Sequence, residues 1–311
     1  MAVVDAAPSR PRRPVLDLSR RRRPGEAVIE GLLALCGVLS VATTVAIVFT
    51  LLRDGLSLFE EVGIGEFVFG TTWSPNSGDF GILPLLAGTL LVSTIALCVA
   101  VPLGLAAATY LSEYARPRVR RVLKPMLEVL AGVPTVVYGF FALTVVTPLI
   151  KRTLFDQIGV YNALAAGLVM GVMIIPTVAS VSEDAMRAVP QSLREGAFGL
   201  GAGRRRVAVR VVIPAALSGI AAGVILGISR AVGETMIVAL AAGATPNLTA
   251  NPLASVQTMT GYIAQIAGGE SSRGSLQYKS IFVVGLALFM LTLVLNLISV
   301  QLVRRFRQVY Q

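Results

Sequence analysis

Arg230 and Glu234 stand four residues apart between two uncharged runs, 211–229 and 235–269. On one continuous helix their side chains are about 40° apart and within reach of each other. Gly219, Gly223 and Gly227 repeat every fourth residue before them. Carried around the same helix at about 100° per residue, all five fall within about 80°. Small residues let a neighbouring backbone come close. Ionisable groups inside an apolar span face a bundle interior or a wet cavity and mark a substrate path by default. A guanidinium matches two oxygens of a tetrahedral oxyanion at once. A carboxylate beside it weakens that grip, and a transport site must let go. Thr235 adds a hydroxyl next to the pair. Two plainer readings stand beside this one: a salt bridge that fixes helix packing, or an arginine snorkelling to the outer surface, since 211–229 alone is long enough to cross.

Other chemistries are excluded by what the chain lacks. It has no histidine, so His-based metal sites, a Ser-His-Asp triad and haem–His ligation are absent. Cys36 and Cys98 both sit in apolar runs and read as small core hydrophobes, not as a disulfide or a CxxC metal site. Arg230, Glu234 and Thr235 are too few for a nucleophile, base and orienter, so no catalytic residue and no metal ligand is expected. A proton-driven carrier using Glu234 would usually show inverted repeats, and none is convincing. No G-x-x-x-x-G-K-[ST] occurs, so any ATP and magnesium must be bound by another subunit.

The elements that position these residues are membrane helices. Of the 311 residues 55% are hydrophobic and only 14% charged, against about 25% charged in soluble domains. Mean hydropathy is +0.76. A span needs about 20 apolar residues. Six are expected, at 27–52, 81–112, 122–150, 160–182, 211–243 and 280–303; the second and fifth are too long for one straight crossing. Ala244 to Gly269 reads as a loop because of Pro246, Asn247, Asn251 and Pro252. Lys and Arg fix the orientation. Seven lie before residue 24, five in 116–124, six in 187–210 and three in 304–307, against five in the alternate segments. Both termini are therefore expected inside. The tail over residues 1–25 reads as a basic cytoplasmic segment that touches anionic lipid and not nucleic acid. Residues 26–80 hold the first helix and an outer segment, and 81–305 the core. Glu128, four after Lys124, reads as a solvated helix end paired with that lysine, and Glu30 as interfacial.

The inner loop 183–212 is the longest and reads as partly helical. Ser192 with Glu195 forms a capping-box pattern, and Gly201 and Gly203 end a short helix. Ile213 and Pro214 open the fifth span. Such a helix outside the membrane, joined closely to a span, can pass force from a soluble partner into the bundle; on composition alone the segment reads equally as an ordinary surface loop with positive-inside arginines. The spacing of Glu195, Ala197 and Gly201, then nine residues, then Val211, Ile213 and Pro214 resembles the E-A-A, x3, G, x9, I-x-L-P motif of ABC importer permeases. Gly196 replaces the first alanine, at about 1 kcal/mol of helix propensity.

Four further stretches are similar to the permeases of the phosphate-specific ABC importer: Gly81 to Leu90 (GILPLLAGTL), Leu111 to Ala115 (LSEYA), Leu130 to Gly139 (LAGVPTVVYG) and Ser229 to Met236 (SRAVGETM). Thr135 stands where that family usually has serine. Met236 and Ile237 after Gly-Glu-Thr resemble the PstC-type branch. The resemblance covers roughly residues 55–305. It implies an all-α, six-span permease of the type I ABC importer fold in a bacterial cytoplasmic membrane, moving inorganic phosphate by alternating access. The implied partners are a PstA-like second permease, a dimer of PstB-like ATPase subunits and an external PstS-like phosphate-binding protein. Glu195, Gly196, Ala197, Gly201 and Pro214 then form the coupling element. An importer for another oxyanion, sulfate or molybdate, is the alternative.

Overall fold

The computed structural model describes residues 24–269, 272 and 274–306. All of the expected basic tail except its last two residues lies outside them, as does Arg273. Contacts divide the chain into a unit ending at Val48 and a unit from Phe49 onward. α1 (Pro24–Leu56) begins in the first, where Leu32, Val38 and Val45 are exposed apolar side chains, as a lipid-facing helix requires.

The second unit opens with α2 (Ile64–Phe69) and a short antiparallel pair, β1 (Trp73–Ser74) and β2 (Asp79–Phe80), with Trp73 opposite Phe80. α3 (Leu83–Thr109) follows, with Pro84 in its first turn, where the missing N–H costs nothing. It runs on through a π-helical turn, Tyr110–Tyr114. Next come α4 (Pro117–Ala131), α5 (Thr135–Thr153) and α6 (Ala163–Arg187), the last capped by Asn162, whose Oδ1 accepts from Ala165 N at 2.7 Å. α7 (Gln191–Gly199), α8 (Arg204–Ala215) and α9 (Leu217–Val232) lead to a π-helical turn, Val238–Ala242. α10 (Met259–Ala267) and α11 (Leu276–Phe306) complete the chain. Among the described residues, five helices are long and apolar enough to cross a membrane, or six if the bent pair α8–α9 counts as one.

α6 is the central helix of this unit. Met170, Met173, Ile174 and Val178 on it pack against Val92, Ala96 and Ala100 of α3. The two backbones approach closely at Gly171, where a Cβ would lie 2.8 Å from Ala96 O. At the opposite end from Arg187, Trp73 packs edge-on to Phe80 and to Tyr262 of α10, whose ring centroid is 5.0 Å away. The Tyr262 hydroxyl meets Ser280 Oγ of α11 at 2.6 Å.

Four expectations change. The third span is not 122–150 but 135–153. Gly132 ends α4 and Pro134 starts α5, and Arg118, Arg120, Arg121 and Lys124 keep α4 amphipathic, outside the hydrocarbon. The fifth span is not one helix over 211–243: α8 and α9 meet at 72° around Ala216, and α9 stops at Val232. The segment 244–269 is not all loop. Thr258 Oγ1 accepts from Gly261 N at 3.0 Å and starts α10, whose Met259 and Tyr262 are buried. Cys36 and Cys98 are exposed, because the outer face of a membrane helix is as apolar as its core.

Candidate substrate path and coupling surface

α9 lies against α6 along the glycine repeat. A Cβ at Gly223 would sit 3.2 Å from Val181 Cβ and from Ser182 Oγ, and one at Gly227 would sit 3.1 Å from Val178 Cγ2. At Gly219 it would collide with the Ala185 methyl group. Arg230 continues the same seam: its Nη1 donates to Thr177 Oγ1 of α6 at 3.1 Å. Thr177 is ten residues from Arg187 at the end of α6, roughly 15 Å along the helix. The guanidinium therefore meets α6 near the middle of that helix, fourteen residues from Ala163 and ten from Arg187.

Glu234 does not share Arg230's helix. Gly233 caps α9, and the helix resumes only at Met236, three residues on. Glu234 is buried, and its Oε1 accepts from Met236 N at 3.0 Å and Ile237 N at 3.2 Å. Its carbonyl accepts from Thr260 Oγ1 at 2.7 Å. Among the described residues no ion pair joins Arg230 and Glu234. The carboxylate instead satisfies donors that the helix break frees. Thr235 is half-buried beside the break, with Oγ1 3.4 Å from Gly233 O.

The basic end of the bundle is organised by two carboxylates. Glu183 of α6 is 1% exposed. Its Oε2 accepts from Lys124 Nζ at 2.9 Å, and its Oε1 lies 2.6 Å from Arg120 Nη2 and 3.8 Å from Arg187 Nη1. Arg120 approaches closely without aiming an N–H at Oε1, which has charge partners but no aligned hydrogen bond. Lys124 also reaches Asp184 at 2.9 Å, so it serves α6 and not Glu128. These bonds hold its ammonium above the ordinary lysine range, against the opposing effect of burial. The second carboxylate, Glu113 in the turn after α3, pairs with Arg194 of α7 at 3.1 Å.

Arg194 fixes how α7 leaves the bundle. It donates to Val189 O at 2.6 Å and Met186 O at 2.7 Å, two carbonyls at the end of α6. The capping box at Ser192 is not formed: α7 starts at Gln191 with Pro190 as its cap and no side-chain bond. Its end is better determined. Gly201 has φ +79°, Ala202 N bonds Ala197 O at 3.1 Å, and Gly201 N bonds Phe198 O at 2.9 Å. This is a Schellman motif with glycine in the left-handed position. Gly203 begins α8 and does not end α7. Ala197 packs toward Val207 and Val212, while Glu195, Gly196, Phe198 and Leu200 are exposed, Leu200 at 92%. Pro214 lies two residues before the bend into α9.

Glu113, Arg194 and Glu183 were not singled out from the sequence. Their partners lie tens of residues away, and each alone reads as a solvated charge at a helix end.

This fold is that of ABC importer permeases. The chain superposes on a bacterial alginate ABC transporter with a TM-score of 0.63 at 15% identity, over 90% of this chain and 96% of that one. It superposes on the inward-facing methionine ABC transporter MetNI with a TM-score of 0.53 at 17% identity, over 73% and 95%. Residues 100–308 match the family described as binding-protein-dependent transport system inner membrane component, and the chain belongs to that family. It is 36% identical to the probable ABC transporter permease protein YqgH of Bacillus subtilis over 86% of each chain. It is 31% identical to the phosphate transport system permease protein PstC of Haemophilus influenzae, over 91% of this chain and 94% of that one. Identity to PstC 1 of Mycobacterium tuberculosis is 34% over 74% of each.

Proposed function

We propose that this chain is the membrane permease subunit of an ATP-driven importer of inorganic phosphate, of the PstC type. The observation that carries the reading is sequence similarity to PstC proteins along nearly the whole chain. Both termini face the cytoplasm of a bacterial inner membrane. The chain itself performs no catalysis and holds no cofactor. A PstA-like second permease completes the pathway, a dimer of PstB-like subunits binds ATP with magnesium, and a PstS-like external protein delivers phosphate.

The geometry supports a division of labour. α7 presents Phe198 and Leu200 to the ATPase, beside Glu195 and Gly196. Arg194 ties α7 to α6 and, through Glu113, to α3, so displacement of α7 reaches the central helices directly. α6 carries that displacement to the seam with α9, where Arg230 offers the anion a bidentate donor in a low-dielectric setting. Thr235 lines the same region. Glu234 shapes the path by capping the turn that follows it.

The test is anion specificity in proteoliposomes holding both permeases, the ATPase and the binding protein. ATP-dependent phosphate uptake that sulfate and molybdate do not compete is expected. Uptake of sulfate or molybdate in place of phosphate favours the alternative importer, and uptake driven by a proton gradient without ATP favours a carrier.

A further inference from the structure

The hydrogen bond from Arg230 ends on Thr177, and Thr177 also lines a cavity of about 210 Å³ between α4 and α6. Its polar wall is Thr177, Ser180 and Glu183 from α6 with Lys124 and Glu128 from α4. Thr177 and Ser180 are three apart on one face of α6, and Glu183 is three further, a step of about 4.5 Å each time. Lys124 and Glu128 also line a neighbouring cleft of about 580 Å³, whose other charged groups are Arg120, Arg121 and Arg187. Those two α4 residues thus stand between an inner cavity that begins at Arg230's partner and an outer cleft rich in cations. At about 30 Å³ per water, the cavity has room for a tetrahedral oxyanion and part of its hydration.

We propose that Thr177, Ser180, Glu128 and Lys124 form a second anion station between Arg230 and the basic end, closed in this conformation because Glu183 and Asp184 occupy Lys124. The proposal rests on the phosphate reading above. Hydroxyls and an ammonium donate to phosphate oxygens. Lys124 can be given up because Glu183 keeps two other cations, Arg120 at 2.6 Å and Arg187 at 3.8 Å. Its buried charge then stays compensated while Lys124 turns to the anion. Glu128 makes no ion pair among the described residues. It accepts a hydrogen bond from the protonated oxygen that phosphate carries near neutral pH, its second pKa being about 6 or somewhat higher, as for a phosphoester. Sulfate has no such proton and meets only repulsion from Glu128. Discrimination between the two anions therefore belongs to Glu128, since Glu234 is committed to capping.

The experiment uses the complete reconstituted transporter, with phosphate and sulfate as probes and ATP hydrolysis measured alongside uptake. Ser180→Leu fills the cavity and touches no ion pair. It is expected to lower phosphate uptake at least tenfold while hydrolysis and co-purification with the partners persist. Glu128→Gln is expected to let sulfate compete with phosphate, a change that a structural role would not produce. A second readout places Ser180→Cys in a Cys36→Ser, Cys98→Ser background. Its labelling by a small thiol reagent during turnover is expected to slow when phosphate is present. If wild type imports phosphate but Ser180→Leu does so within twofold, the station is wrong and the phosphate reading survives. If Ser180→Leu does not assemble, unchanged Ser180→Cys labelling overturns the station equally. If wild type imports no phosphate, both fall.

Discussion

At the scale of residues, Arg230 and Glu234 have separate duties although they are four apart in sequence. Arg230 is bonded to Thr177 and is the residue proposed to meet the anion, whereas Glu234 is an N-terminal cap on the next turn. Arg230→Gln is expected to abolish phosphate uptake, because neutral donors cannot offset the cost of drawing an anion into the span. Glu234→Gln keeps an acceptor for Met236 N and Ile237 N and should retain most activity. Glu234→Ala removes the cap at about 1 kcal/mol, read as a lower melting temperature in detergent. A charge-swapped pair should not recover transport, since the swap removes both the donor and the cap. Glu183→Ala removes the buried charge of the cluster, at a cost of about 1–3 kcal/mol, while Arg120 and Lys124 are partly exposed and Asp184 stays beside Lys124. Its melting temperature should fall well below that of Asp184→Ala, whose carboxylate is 64% exposed.

The sequence showed where ionisable residues lie at membrane depth but not how they pair. The expected 40° separation assumed an unbroken helix, and nothing around Gly233 marks a break more strongly than the other glycines of that run. Lys124 was assigned to Glu128 because local spacing was the only guide, whereas its partners lie 59 and 60 residues away.

Among the elements, α7 was the most legible. Its motif spacing located the helix and its glycine stop, and the left-handed φ at Gly201 supplies the physical reason for glycine there. An L-residue in that conformation costs about 1–2 kcal/mol. Gly201→Trp is therefore expected to disturb the end of α7 and uncouple hydrolysis from uptake while the permease still inserts. Normal uptake from that variant would remove α7 from the mechanism. Arg194→Met frees α7 from Met186 O, Val189 O and Glu113 together. It should raise hydrolysis per phosphate moved without changing the amount of assembled complex. The seam of Gly219, Gly223 and Gly227 was legible from its four-residue period alone. α4 was misjudged because an uncharged run beginning at residue 129 drew the span boundary into it, across the break at Gly132–Pro134. α10 was missed because the prolines and asparagines before it are genuine loop residues, and the helix starts just after them.

At the scale of the whole molecule, the positions that lack charge indicate six spans in order, against five or six among the described residues, and the asymmetry of lysine and arginine predicts an orientation. A reporter fused after residue 115 or 200 is expected to be cytoplasmic, and one after residue 60 or 265 external; a cytoplasmic signal at 265 would break the topology. The exposed cysteines show the limit of composition. In lipid an apolar side chain is as much at home outside the bundle as within it, so hydrophobicity does not say which face is buried.

In the proposed function α7 faces the ATPase and Arg230 binds the anion, with α6 and α9 between them. The most direct test measures ATP hydrolysis and phosphate uptake in the same proteoliposomes, for wild type and for Arg230→Gln. The expected result is continued hydrolysis with phosphate uptake reduced at least a hundredfold, because the drive is intact and the anion's contact is gone. Uptake by Arg230→Gln within twofold of wild type would contradict an anion-binding role for Arg230.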